Sequence, residues 1–193
     1  MCSYRREDDL KDQFNNTVQK ALGIPRKDYY SSLSVNQLLK LKTALHEINN
    51  IMTMKLTLLL INWLTKIFQF PEEDKNRIVQ CALSTKPNAN GYDLVINNPE
   101  HILAEVKCNI PVKSGNQFGA AQKNGLVKDV DGLLKGKSKA RLQDQLHSYY
   151  KILALYDTPE ARTAATQLFS KRKDVLIGDE IKSKDKVHVV FLN

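Results

Sequence analysis

The stretch Gly91–Asn109, GYDLVINNPEHILAEVKCN, sets Asp93 and Glu105 inside otherwise apolar, strand-like runs, with Lys107 two residues after the glutamate. Alternation sorts the second run into one face of Ile102, Ala104, Val106 and Cys108 and another of Leu103, Glu105 and Lys107. In the first run Tyr92, Leu94 and Ile96 share a face, and Asp93 and Val95 share the other. Both apolar faces need the same core. Pairing Leu94 with Ala104 and Ile96 with Ile102 brings them together and leaves Asn97–His101 as the turn. That register sets Asp93 directly opposite Glu105, with Cβ atoms about 4.5–5.5 Å apart. Two carboxylates at that spacing repel in an ordinary sheet and become favourable when a divalent cation lies between them. Hard cations such as Mg²⁺ take carboxylate oxygens and keep several waters. Lys107, one pleat further along the same face, reaches the same place, where an ammonium can orient a nucleophilic water or neutralise developing negative charge. The competing reading is a plain hairpin with a solvated polar face.

Working outward, residues 1 to about 30 read as a polar helix through Leu22 and a loop at Gly23-Ile24-Pro25. Ser34 opens the next helix, with Gln37 three residues on as a capping box. Leu38, Leu41, Leu45, Ile48 and Met52 follow the 3,4 spacing of one helical face, and the pattern runs to about Gln69, with room for a break near Asn49-Asn50. Ile78–Leu83 reads as a strand before the hairpin. Residues 111–137, glycine-rich and polar, read as irregular. Ser138 is expected to cap a helix from Lys139 to about Tyr156, with Leu142, Leu146, Tyr149, Leu153 and Tyr156 on its apolar face. Thr158-Pro159 opens another helix. Val175–Ile177 and Val187–Leu192 read as late strands. This order implies an α/β chain with a mixed central β-sheet flanked by helices.

A formal charge of +8 over 193 residues favours a polyanionic partner. Cys2, Cys81 and Cys108 form no close pair, which fits free, mostly buried thiols in a reducing compartment, and a cytoplasmic location is expected. Ile51–Phe70 approaches the length of a membrane span, but Lys55, Asn62, Lys66 and Gln69 recur at helical spacing; a buried helix with one wet edge is expected, and no membrane partner. The four histidines have no metal-ligand spacing, and no Ser/His/Asp or Cys/His arrangement stands out.

Asp93, a gap of eleven residues, then Glu105-Val106-Lys107 on a hairpin resembles the PD-(D/E)xK nuclease superfamily, the fold of many type II restriction endonucleases. The signature covers Gly91–Lys107 only, and Tyr92 stands where the motif has proline. The resemblance implies a restriction-endonuclease-like core and Mg²⁺-dependent hydrolysis of phosphodiesters in double-stranded DNA, with Mn²⁺ as a substitute. It implies Asp93, Glu105 and the Val106 carbonyl as metal ligands and Lys107 as the catalytic lysine. Members often add an acidic residue from the preceding helix. Glu47 is the candidate, read as facing inward with Ile51, Met54 and Leu58; Glu72 and Glu73 are alternatives. One nuclease-like domain is expected over residues 1–193, with 1–33 as a helical extension. A chain reading a palindrome would be a two-fold homodimer.

Between Lys123 and Arg141 six Lys or Arg residues stand against Asp129 and Asp131, a composition suited to phosphates. Lys113, Lys123, Lys128, Lys137, Lys139 and Arg141 are the expected backbone contacts. Asn116, Gln117, Gln122 and Asn124 could read base edges. Gln145 and Tyr149, four apart on the expected helix, resemble the Gln-x-x-x-Tyr pair of phage-type exonucleases and recombination nucleases in the same superfamily. That pair keeps an exonuclease or structure-specific repair nuclease as an alternative. A non-catalytic nucleic-acid-binding module is a second alternative. Gly132–Ser138, GLLKGKS, has three residues between its glycines where a phosphate-binding P-loop needs four, so no nucleotide cofactor is expected.

Overall fold

The computed structural model describes residues 5–25, 27–86, 91–111, 116–140 and 142–193. The chain divides into two compact units, residues 1–48 and 49–193. The first unit holds α1 (Arg6–Leu22), the short α2 (Tyr29–Ser32) and the start of α3 (Val35–Phe68). Gly23 closes α1 at φ 62°, a left-handed position that glycine takes without steric cost. Asn15 ties α1 to α2: its amide donates to Asp28 Oδ1 at 3.2 Å and its carbonyl accepts the Tyr30 N–H at 2.9 Å. The Ser34/Gln37 capping box forms in both directions, with Ser34 N–H donating to Gln37 Oε1 at 2.8 Å and Gln37 N–H to Ser34 Oγ at 3.3 Å. α3 is continuous through Asn49-Asn50, without the break the sequence allows there.

The second unit holds the rest of α3, then α4 (Glu72–Ser84), β1 (Leu94–Ile96), β2 (Ile102–Lys107), α5 (Ala120–Lys135), β3 (Tyr150–Tyr156), α6 (Pro159–Phe169), β4 (Val175–Ile177) and β5 (Val187–Leu192). Among the described residues the strands form one mixed sheet in the order β1-β2-β3-β5-β4, with β1–β2 antiparallel and the other three pairs parallel. Parallel strands covered on both faces read as near-continuous apolar runs. Accordingly β5 is buried throughout, β2 up to Lys107, and β3 between its two ends. One face packs Ile102, Ala104, Val106, Ile152, Ala154 and Val190 against Leu56, Leu60, Ile61 and Leu64 of α3 and Ile78 of α4. The other packs Leu103, Leu153, Leu155, Val187 and Val189 against Leu126, Val130 and Leu133 of α5 and Ala164, Ala165 and Phe169 of α6.

α3 is long and apolar enough, by length and composition, to cross a membrane. In the second unit it buries one face in the sheet core while Lys55, Leu59, Asn62 and Lys66 form an exposed edge, the expected arrangement.

Three expected elements are corrected. Ile78–Leu83 is the interior of α4, not a strand: the acidic first turn Glu72-Glu73-Asp74 after Pro71 starts a helix that carries through the apolar run. Residues 120–135 are helix α5, because Leu126, Val130 and Leu133 make a buried stripe that outweighs the glycines. Residues 139–156 are not one helix. Two 3-10 turns (Ser138–Ala140, Gln143–Ser148) lead into β3, whose run KILAL suits a central parallel strand. α6 starts as read, with Thr158 Oγ1 accepting the Ala161 N–H at 3.0 Å. Of the thiols, Cys81 is exposed and Cys108 half-buried, correcting the expectation of buried cysteines; Cys2 lies outside the described residues.

Candidate active site

The β1–β2 ladder pairs Leu94 with Ala104 and Ile96 with Ile102, the register that matching apolar faces requires. Asp93 lies one residue before the ladder. Its N–H donates to Ala104 O at 3.1 Å and its Oδ2 accepts the Val106 N–H at 2.8 Å. Those two bonds bracket Glu105 and hold Asp93 across from it. Alternation stops there, because Gly91–Asp93 is a bend: Tyr92 packs on the α5 side with Leu103, not with Leu94 and Ile96. Its hydroxyl donates to Gly132 O at 3.0 Å and accepts the Lys137 N–H at 3.2 Å, so the residue in the proline position anchors the end of α5 to the hairpin.

Glu105 is 3% exposed. Burial, and then the charge of Asp93, push its carboxyl up to about 7, against the pull of Lys137 and Lys107. Lys107 sits among three carboxylates, with Nζ 3.2 Å from Asp129 Oδ2, 3.4 Å from Glu105 Oε2 and 3.9 Å from Asp93 Oδ2. Burial alone would lower its pKa; Asp129, Asp93 and Glu105 outweigh that and hold it above the ordinary lysine value. Lys107 is therefore an ammonium and a hydrogen-bond donor, unsuited to act as a base. Lys137 Nζ reaches the other Glu105 oxygen, Oε1, at 2.5 Å and lies 3.8 Å from Asp129 Oδ1. The Cys108 thiol is pushed up by burial and by Asp93, away from nucleophilic use.

Beside this cluster opens a cleft of about 410 Å³. Asp93, Val106 and Lys107 line one wall, Asn49, Asn50, Thr53 and Thr57 of α3 another, with Thr85 and Lys86 after α4 closing it. Among the described residues, the cleft is lined by α3, the end of α4 and the hairpin, and none of residues 116–140 lines it. The chain matches no family model, no curated protein and no solved structure in the comparisons made.

Among the described residues, no group of three or more His, Cys, Asp or Glu side chains is arranged to hold a metal ion; the three carboxylates surround Lys107 instead of one another. The Asp93/Glu105 pair by itself fits one hard cation that keeps waters. Its donors are carboxylate oxygens, the kind such cations select; burial first, and the Asp93 charge second, raise the Glu105 pKa. Glu47 is exposed, which corrects its expected inward direction, and it belongs to the 1–48 unit; Glu72 and Glu73 are exposed as well. The third carboxylate of the cluster is Asp129. Sequence reading missed it because it depends on α5 being a helix.

The expected nucleic-acid contacts divide. Asn116, Gln117, Asn124, Lys128 and Lys139 are exposed, and Lys123 is half-buried. Gln122 is committed to structure: its Oε1 accepts the Gly119 N–H at 2.9 Å and its Nε2 donates to Ile110 O at 2.8 Å. Lys113 and Arg141 lie outside the described residues. Gln145 and Tyr149 do not share a helical face. Gln145 is exposed in a 3-10 turn, while Tyr149 is buried and donates to Asn97 Oδ1 at 2.8 Å, in the hairpin turn at the far end from Asp93. Gly132–Lys135 is the last turn of α5, without the strand–loop–helix order of a P-loop.

Proposed function

We propose that this chain is a Mg²⁺-dependent DNA endonuclease of the PD-(D/E)xK type, built on a restriction-endonuclease-like core and acting as a type II restriction enzyme. The observation that carries this reading is the convergence of Asp93, buried Glu105 and Lys107 at the open end of the β1–β2 hairpin, beside a polar cleft. Asp93, Glu105 and the Val106 carbonyl would hold the ion. When bound, the cation supplies positive charge to the scissile phosphate and makes water acidic enough to attack it. Lys107, kept protonated by its three carboxylate neighbours, donates a hydrogen bond to the attacking water or to a phosphate oxygen and stabilises charge that grows in the transition state. The amides and hydroxyls of Asn49, Asn50 and Thr53 give the opposite wall donors and acceptors for the sugar–phosphate chain. A net charge of +8 favours the approach of a polyanion.

A binding module without catalysis has no use for two opposed carboxylates facing a polyanion, so catalysis is the better reading of the cluster. The exonuclease alternative rested on Gln145 and Tyr149 sharing a helical face, and it loses that support. The test is incubation with Mg²⁺ of closed circular duplex DNA and of end-labelled linear duplex. Discrete fragments from both substrates support the proposal. Digestion of linear ends with circles left intact contradicts the endonuclease part of it, and salt-sensitive binding without any cleavage contradicts it altogether.

A further inference from the structure

Both oxygens of Glu105 carry an ammonium, but the two lysines are held differently. Lys107 would keep Asp129 and Asp93 if it lost Glu105. Lys137 stands 2.5 Å from Glu105 and 3.8 Å from Asp129. Its backbone is fixed by the Tyr92 hydroxyl, and its ammonium lies 5.2 Å from the centroid of the Tyr92 ring, a cation–π contact. The stem passes directly over Gly132: a Cβ there would stand 2.9 Å from Lys137 Cε, so glycine keeps the path open. The Lys137 side chain is 27% exposed and Glu105 only 4%, so the ammonium reaches the carboxylate from the solvent side and can retreat the same way, while Glu105 cannot.

We propose that Lys137 is a displaceable counter-ion of the site: its ammonium and a divalent cation exclude one another at Glu105, and the cation enters by moving Lys137 off that carboxylate. The proposal rests on the cation-dependent reading above and adds to it a built-in competitor. Three carboxylates against two ammonium groups leave the cluster one formal negative charge, which weakens its pull on a cation. Part of the intrinsic cation affinity is spent on breaking the Lys137–Glu105 pair, as in any site whose competent state is only partly populated. The displaced ammonium has Asp129 close by, 3.8 Å from its present position.

The measurement is calorimetric titration of Mn²⁺ and of Mg²⁺ into the full chain without DNA, with thermal melts in chelator confirming that each variant is folded. Lys137→Met removes the competing charge and keeps the stem; it should bind the cation about tenfold more tightly than the unmodified chain, equivalent to about 1.4 kcal/mol. Lys137→Arg keeps the charge and should show no tightening. Asp93→Asn separates the two readings. If it abolishes cation binding while Lys137→Met binds no more tightly than the unmodified chain, the counter-ion proposal alone is overturned. If the unmodified chain has no cation binding that depends on Asp93, the metal-dependent reading falls and takes this proposal with it.

Discussion

Glu105, 3% exposed on β2, faces Asp93 and contacts the ammonium groups of Lys107 and Lys137. Strict alternation through Ile102–Cys108 placed it opposite Asp93 and beside Lys107, because a strand with one committed apolar face leaves no freedom in the register. Asp129 and Lys137 were not legible in the same way. Each reaches the cluster from a segment whose path depends on packing across the sheet, which no local pattern encodes. The buried carboxylate has a thermodynamic consequence. Folded Glu105 keeps its proton up to about pH 7, whereas an unfolded glutamate releases it near 4.5. Between those values the folded state binds more protons, so this group makes stability fall as pH rises through that window. In chelator, Glu105→Gln should raise Tm at pH 8 by roughly 3–6 °C, with the gain vanishing below about pH 4.5; thermal melts at both pH values check this. At Lys107 the expected loss is kinetic. Lys107→Met should reduce cleavage by about 10²–10³-fold, the scale of one lost transition-state donor, while calorimetry still detects cation binding.

At the level of elements, helices were legible wherever a cap and a stripe agreed, as at Ser34/Gln37 and Thr158-Pro159. It failed where one pattern fits two structures. IVQCAL is short and apolar enough for a strand, but the acidic turn after Pro71 starts a helix that absorbs it. Leu142, Leu146, Tyr149 and Leu153 fall at helical spacing, yet the continuous run KILAL is what a strand buried on both faces requires. Lys151 enforces that outcome. It is 3% exposed on β3, and its ammonium donates to Leu146 O at 2.7 Å, Tyr149 O at 3.1 Å and Lys184 O at 2.5 Å, joining the turn before β3 to the loop before β5. Lys151→Met should cost roughly 2–3 kcal/mol, because it strips three carbonyls of a charged donor; urea denaturation reads this. Tyr92→Phe, which unlinks Gly132 from Lys137, should cost about 1 kcal/mol in the same assay.

For the molecule as a whole, the mixed sheet with helices on both faces was legible as a class from the alternation of helical and strand patterns. The strand order was not, since it depends on which edges the crossovers reach. The unit of residues 49–193 gathers Asp93, Glu105, Asp129, Lys107 and Lys137 at the open end of β1–β2, beside the polar cleft lined by α3, the end of α4 and the hairpin. Elsewhere its charges are used to join elements: Arg172 binds Asp174 at 2.7 Å and Asp131 at 2.9 Å, linking α5 to the segment before β4, so the basic residues around 171–174 are partly structural. Whether Asp93 and Glu105 form a cation-dependent phosphodiester-cleaving site is decided by following supercoiled plasmid over time with Mg²⁺ or with chelator, using the unmodified chain and Asp93→Ala. Nicked or linear DNA is expected only from the unmodified chain with Mg²⁺. Equal cleavage by Asp93→Ala, or cleavage undiminished by chelator, would contradict it.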